Sequence, residues 1–562
     1  MSTEHMTPDL PTPQDKEWEA TMLSFVENSE SSIAPTSPRK KLPIRRRTLA
    51  VILSSAGTFL LAIVLLVVTL CFQPAQTDSN NNSDTTDDII STQPTITLLD
   101  NTGNADKNII AKPLQRVDIQ NTTDTFAVVY DSEDKTYVLE GYEDLTISST
   151  LLTTLRGYTE TIQATEKVAS ATNLTAFGLD KPQATANITY SDGSTACLRI
   201  GALTPSETGF YGQFGADETV YIFASNSVAL FRASATAFVD TLLVATPTVK
   251  SSDTNGMALL RNATFSGTAH PNKLVLRRSN EKDNEEYTYF NYLITSPYFR
   301  ATSDATATAL GQFKSLEAMH ALILHPTTEQ KQKLGFDNPL ICINATMAVE
   351  TEEETKSDTV DEDAVAPKIY YNATDYTITV GSLNSDGNYV VMVDGIDAIF
   401  LVSKADYGYL FDLNYTNAVN EFLFFRNINR IGSISLKLNG KTYDFALTHY
   451  PKEEETDNQL VVKSNNKVYP TEDFRELYGL MLSLERYGSA EAKPTGNVPL
   501  ELFLYDTDGK LYFSAKYYDT TGSLCTVETS EGEFFTTRWS YVDFFIQQVE
   551  NYINGRDVLV NT

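Results

Sequence analysis

The sequence motif Gly-x-Asp-x-Pro, which we call the phrase, occurs twice, within "FGLDKP" at 177–182 and within "LGFDNP" at 334–339. Each copy follows a helix-like run of apolar residues and precedes alternating, strand-like runs. A third stretch keeps the order of patterns but has "YGSAEAKPTGNVP" where the phrase would stand. Recurrence of one pattern order is typical of a repeated folding unit. The sequence therefore predicts three tandem units, at 114–246, 258–427 and 428–560.

The alternating runs are joined by Asp-Gly or Asn-Gly dipeptides, which favour tight β-hairpin turns. Apolar residues at helical spacing lie between the runs and predict helices that pack on the sheets. The predicted fold class is α+β: a single N-terminal transmembrane helix followed by three tandem α+β repeats with antiparallel sheets. We expect helices near 151–162, 310–323 and 474–484, and closing helices at 227–243, up to residue 425 and from Trp539.

The repeated phrase has the composition of a corner between a helix and a strand. Its glycine allows the positive φ that ends a helix, its proline prevents the helix from resuming, and its aspartate can accept backbone N–H bonds. An alternative is a ligand site shared by the two aspartates. The turn residues are Gly178, Asp180, Pro182, Gly335, Asp337 and Pro339.

Residues 48–72 form a run of 25 residues without a charge. A helix of that length would be about 37 Å long, enough for a hydrocarbon core of about 30 Å. Six basic residues lie at 39–47, and positive charge favours the cytoplasmic side. We expect a disordered cytoplasmic tail at 1–47, a transmembrane helix at 48–72 and a polar stalk at 73–113. The long tail and long apolar run disfavour a cleaved signal peptide.

The formal net charge is −30, and residues 1–47 contribute nothing to it. An acidic surface repels nucleic acid, so we expect no nucleic-acid partner. The segment 350–363 has eight acidic residues in fourteen and interrupts the second unit. It favours a solvated insert over a calcium site, because it lacks calcium-loop spacing. We identify no catalytic, cofactor-binding or metal-binding residue.

The run from 177 to 243, "FGLDKPQATANITYSDGSTACLRIGALTP" with "GFYGQF" and "TVYIFAS", resembles the bacterial family catalogued as domain of unknown function 4340. The resemblance is close over the first unit, moderate over the second and one of shape over the third. It implies a membrane-anchored, extracytoplasmic protein of the cell envelope. It also implies an association with an ABC transporter permease or other envelope proteins. It transfers no catalytic residue.

Two functions follow as expectations. Repeats build extended binding surfaces, so the first is a non-catalytic binding or scaffolding protein at the cell membrane, single-pass, with its C-terminal domain outside. The alternative is an envelope-polymer hydrolase whose acidic residues meet only in the fold.

Overall fold

The computed structural model describes residues 95–103, 109–170, 173–216, 218–287, 290–352, 368–422, 426–450, 459–490, 493–520 and 522–560. The expected tail, the expected membrane helix at 48–72 and most of the stalk lie outside these residues. In the described part, no helix has both the length and the apolar character that crossing a membrane requires. A two-stranded sheet pairs β1 (Ile96–Asp100) with β5 (Thr161–Ala164), and three larger sheets follow.

The first large sheet has eight strands in the order β4-β3-β2-β7-β8-β9-β10-β6. Helix α1 (Ser149–Glu160) leads from β4 towards the far edge of this sheet. The strands are β2 (Leu114–Asn121), β3 (Thr125–Asp131), β4 (Thr136–Leu139), β6 (Glu166–Ser170), β7 (Ala184–Tyr190), β8 (Thr195–Leu203), β9 (Gly209–Phe214) and β10 (Thr219–Ala224).

The second sheet has nine strands in the order β14-β13-β12-β11-β16-β17-β18-β19-β15. The strands are β11 (Met257–Gly267), β12 (His270–Arg278), β13 (Tyr292–Ser296), β14 (Arg300–Ala301), β15 (His320–Leu324), β16 (Ile341–Glu352), β17 (Lys368–Leu383), β18 (Tyr389–Val393) and β19 (Ile396–Val402). The helices are α2 (Glu281–Glu286), α3 (Asp304–Gly311), α4 (Thr328–Lys333), α5 (Lys404–Phe411) and α6 (Tyr415–Ala418).

The third sheet has the order β23-β22-β21-β20-β25-β26-β27-β28-β24. Its helices are α7 (Thr471–Leu482) and α8 (Trp539–Ile553). The strands are β20 (Ile431–Leu438), β21 (Lys441–Tyr450), β22 (Gln459–Ser464), β23 (Lys467–Tyr469), β24 (Gly488–Ser489), β25 (Leu500–Asp506), β26 (Leu511–Tyr518), β27 (Leu524–Thr529) and β28 (Phe534–Arg538).

The three sheets share one strand order. In each, the chain forms a meander, crosses to the opposite edge for one strand, and returns to pair a second meander beside its first strand. Every strand pair in these sheets whose register is determined is antiparallel. We call the parts that form these sheets the first, second and third units.

The predicted fold class is wrong. Strands account for 46% of the structure and helices for 21%, so the described part of the chain is mostly antiparallel β-sheet rather than α+β. The closing helix expected at 227–243 is replaced by two 3₁₀ turns, Leu230–Arg232 and Ala235–Phe238. The helix expected at 310–323 is divided between α3, a 3₁₀ turn and strand β15.

Strand β15 shows why local spacing misled the prediction. Its backbone pairs with β19 at the edge of the second sheet, with His320 opposite Leu401. The apolar residues of 310–323 have a helical spacing, but pairing with β19 also provides hydrogen-bond partners for backbone groups from His320 onward. The choice depends on a partner strand more than seventy residues away.

The units are joined in two different ways. One continuous hydrophobic cluster runs through the first and second units, from Leu114 to Val419. The third unit has its own cluster, from Ile431 to Val558. Its junction with the second unit is polar: the Arg300 guanidinium donates to Glu533 Oε2 at 2.7 Å and to Glu531 Oε2 at 2.9 Å.

Candidate functional site

The two Gly-x-Asp-x-Pro phrases lie where a short helix turns into a central strand. Gly178 has φ +66° after the 3₁₀ turn Leu174–Phe177, and its N–H donates to Thr175 O. Gly335 has φ +84° after α4, and its N–H donates to Gln332 O. Strands β7 and β16 begin two residues after Pro182 and Pro339. This left-handed geometry is one that glycine adopts without strain.

Each corner packs against a glycine on the neighbouring strand. A Cβ at Gly201 would lie 2.2 Å from Phe177 O, and one at Gly381 would lie 2.2 Å from Leu334 O. By strand register, the equivalent residue of the third unit is Tyr518, because Leu500 pairs with Tyr517 as Ala184 pairs with Ile200. The third unit, which lacks the phrase, therefore also lacks the strand glycine.

Asp180 and Asp337 do not form the shared ligand site that was considered. Both side chains are exposed, and they precede strands of different sheets.

The structure brings together a different site, a groove of about 500 Å³ between α3 and α5 of the second unit, which we call the helix groove. Small residues line its two helices: Ala305 and Ala309 on α3, and Ala405 and Gly408 on α5. Residues three or four apart lie on one helix face, so these residues leave space where larger ones would close the helix pair.

Local sequence fixes both helices at their N-termini. The hydroxyl of Ser303 accepts from Thr306 N at 3.2 Å, and that of Ser403 accepts from Asp406 N at 3.3 Å. Such caps satisfy backbone N–H groups that have no partner within the helix. Beneath the groove, buried Thr306 donates from Oγ1 to Ala418 O at 3.0 Å, which ties α3 to α6.

Asp412 is the polar centre of the helix groove. It accepts a 2.7 Å hydrogen bond from the Tyr389 hydroxyl and pairs with Lys404 Nζ at 3.1 Å. Burial raises the pKa of Tyr389, and the bond to Asp412 raises it further, so this phenol stays protonated. At the rim, Tyr409 is 77% exposed. The groove thus combines an apolar floor, a fixed ion pair and an exposed aromatic ring.

His270, on β12, is 6% exposed and its ring lies 6.0 Å from that of Phe265. Burial lowers the pKa of His270, and the negative charge of Asp412 opposes this effect without cancelling it. Because the folded pKa lies below the unfolded value of 6.5, the folded state resists protonation of this residue.

We expect His270 to make stability depend on pH. Stability is retained above pH 6.5 and falls as the pH drops from 6.5 through the lowered folded pKa, because the unfolded state binds the proton first. The melting temperatures of the wild type and of His270→Gln should therefore converge as the pH falls from 7.5 to 5. His320→Gln, at an exposed position, is the control. A gap between wild type and His270→Gln that stays constant with pH would contradict this assignment.

Glu350 forms a second buried cluster. Sequence reasoning placed it in the acidic insert, but it lies on β16 and is 6% exposed. It accepts from the Tyr370 hydroxyl at 2.9 Å and pairs with Lys368 at 3.1 Å and Arg278 at 3.3 Å. Burial alone would raise the pKa of Glu350, but the hydrogen bonds from these three partners lower it. The rest of the insert, 353–363, lies outside the described residues.

Sequence reasoning missed the residues of the helix groove. The available signal was the spacing of small residues, Ala305 with Ala309 and Ala405 with Gly408, each preceded by a serine cap. This spacing does not reveal that the two helices, about one hundred residues apart, face each other. Among the described residues, no group of three or more His, Cys, Asp or Glu side chains is arranged to hold a metal ion.

The described part of the chain contains three antiparallel sheets of one strand order, with an open groove between two helices of the second unit. Residues 138–339 match the family model described as domain of unknown function (DUF4340), which supports that family for this part of the chain. The resemblance noted from the sequence is thereby confirmed; the match spans parts of the first and second units. No curated protein and no solved structure matches the chain.

Proposed function

We propose that the chain is an extracytoplasmic binding or scaffolding protein of the bacterial cell envelope, held at the membrane, that docks a membrane partner such as an ABC transporter permease. The helix groove is the observation that carries this proposal. Its volume of about 500 Å³, apolar floor and few fixed polar groups are typical of binding sites in proteins.

The state of the acidic residues supports binding over hydrolysis. Hydrolysis of a glycosidic polymer commonly requires two carboxyl groups that flank one bond, with one of them protonated. Asp412 is the carboxylate that lines the helix groove, and it is bound by Lys404 and Tyr389. Glu350 is held by Arg278, Lys368 and Tyr370, which stabilise its charged form. Both acids are committed to structural partners.

The corresponding helices of the third unit support the proposal that the pair α3 and α5 in the second unit is a docking surface. The equivalent helices α7 and α8 leave a smaller space of about 200 Å³, and Val560 of the C-terminal segment lines it. Val558 of the same segment is buried against this unit, and Leu559 N donates to Gln548 Oε1 at 2.9 Å. In the third unit, then, the chain supplies its own apolar segment to this surface.

The test is crosslinking on intact cells with a membrane-impermeant, amine-reactive reagent, followed by mass spectrometry of the captured proteins. We expect the chain itself to be labelled and a permease or another envelope membrane protein to be captured. Gly408→Leu should reduce capture about tenfold, because its side chain fills the helix groove. The backbone tolerates the change, since a Cβ at Gly408 has its nearest neighbour at 3.5 Å.

Gly479→Leu is the matched control, because Gly479 is an exposed glycine in the middle of α7 with open space around it. It should leave capture unchanged. A chain that is not labelled from outside would contradict the proposed location. Labelling with partner capture that Gly408→Leu does not reduce would contradict docking in the helix groove.

A further inference from the structure

The face of the third sheet that points away from its core carries aromatic side chains. On β25, the buried Leu500, Leu502 and Leu504 alternate with the half-buried Phe503 and Tyr505. The opposite residues on β20 are serines: Ser435 pairs with Phe503, and Ser433 with Tyr505. Directly paired residues share one face of a sheet, so rings and hydroxyls lie side by side.

The equivalent positions of the first and second units are polar. Thr189 in the first unit and Tyr505 in the third each precede the aspartate of an Asp-Gly hairpin turn by three residues. The second unit is aligned with the first because β7 and β16 both begin two residues after the proline of the Gly-x-Asp-x-Pro phrase. The three equivalent pairs are Asn187 and Thr189, Asn344 and Thr346, and Phe503 and Tyr505. Two copies therefore carry Asn-x-Thr where the third carries Phe-x-Tyr.

An aromatic pair at these positions is not required by the fold. The first and second sheets form with the same strand order around polar residues. The two rings are partly exposed, and the apolar surface that they leave in water is unfavourable unless something covers it. The substitution in the third unit therefore points to a ligand.

The surface beside Tyr505 is a hollow of about 550 Å³, which we call the sheet hollow. Its lining includes Tyr505, the two serines, Asp444 on β21 and Lys463 on β22. Asn465 and Asn466, in the turn after β22, add amide groups at one end. One acid and one base leave the sheet hollow without net charge, on a chain of net charge −30.

We infer that the sheet hollow binds an uncharged polysaccharide. A sugar ring has a face of C–H groups that can cover an aromatic ring, and an edge of hydroxyls that can bond to serine, amide and carboxylate groups. The charge balance fits a neutral chain, because a polyanion would be repelled by the protein as a whole. This site is separate from the helix groove, and either one can fail its test without the other.

The experiment is affinity electrophoresis of the full chain in gels that contain a soluble β-glucan, a mannan or a chito-oligosaccharide, with polygalacturonate as the acidic comparison. We expect at least one neutral polymer to retard the wild type. Phe503→Asn with Tyr505→Thr reproduces the residues of the other units, so it should keep the fold and weaken binding about tenfold. The single change Tyr505→Thr gives a milder second variant, and melting temperatures check that both remain folded.

Retardation by a neutral polymer that the folded variants lose supports the inference. It is overturned if no neutral polymer binds, if the folded double variant binds as the wild type does, or if polygalacturonate binds equally well. Capture of peptides alone would also overturn it and would make the sheet hollow a protein-docking surface.

Discussion

Replacing Arg300 by Met should destabilise the third unit by about 3 kcal/mol, because it removes the nearer of two cations from a buried carboxylate and leaves only Arg486 Nε, 3.6 Å away. Glu533 is 2% exposed and accepts from Arg300 at 2.7 Å and from the Tyr415 hydroxyl at 2.6 Å. Burial opposes the charge of Arg300, but Glu533 and Glu531 outweigh it and raise the pKa of the guanidinium. Removing the arginine removes the main compensation for Glu533.

Tryptophan fluorescence can follow this effect in one unit. The chain has two tryptophans, Trp18 and Trp539, and Trp539 packs against the core of the third unit. In a Trp18→Phe background, urea unfolding should occur at a lower concentration in Arg300→Met than in its parent. Lys493→Met breaks a pair with Glu528 in which the lysine is 69% exposed, and it should cost less than about 1 kcal/mol.

The double variant Arg300→Met with Glu533→Met tests whether the lost stability comes from the buried charge of Glu533 or from the lost contacts of the Arg300 side chain. If the cost comes from the buried charge of Glu533, removing both charges should recover part of the lost stability, because Arg486, 10% exposed, then loses its own pairing with Glu533. If the free energy of unfolding of Arg300→Met lies within about 1 kcal/mol of that of its parent, the polar junction does not stabilise the third unit.

Replacing Gly381 by Ala should cost about 3 kcal/mol, near the upper end for overpacking in a core. The new Cβ would lie 2.2 Å from Leu334 O, and this oxygen belongs to the backbone of the corner before β16. A flexible side chain could move aside, but the corner is held by Phe336 N donating to Lys331 O at 3.0 Å. Strand β17 and the corner must therefore separate.

Urea unfolding of the Gly381→Ala variant, and of Gly201→Ala in the first unit, measures this cost. Gly157→Ala is the control: Gly157 lies within α1 with no atom near the new Cβ, and alanine favours helix, so stability should stay equal or rise by up to about 1 kcal/mol. Equal stabilities for Gly381→Ala and the wild type would show that the corners do not pack as the structure describes.

Short-range features of the structure could be predicted well. The turns at Asp192-Gly193, Asn439-Gly440 and Asp508-Gly509 join paired strands, because glycine adopts the positive φ of a tight turn without strain. Helices α7 and α8 lie where apolar residues recur at helical spacing, with Phe474 and Leu477 buried on one and Val542 and Phe545 on the other. Each of these signals depends on neighbours within about one turn.

The sequence alone predicted the family resemblance that the match at 138–339 supports, the hairpin turns and the helices of the third unit, because these depend on motifs and periodicities in consecutive residues. The tertiary structure decided the rest. It made β15 a strand by giving it β19 as a partner, and buried Glu350 by surrounding it with Arg278 and Lys368. It also opened the helix groove by setting α3 against α5. These features depend on contacts between segments that are far apart in the sequence, and the spacing of residues within one segment does not specify such contacts.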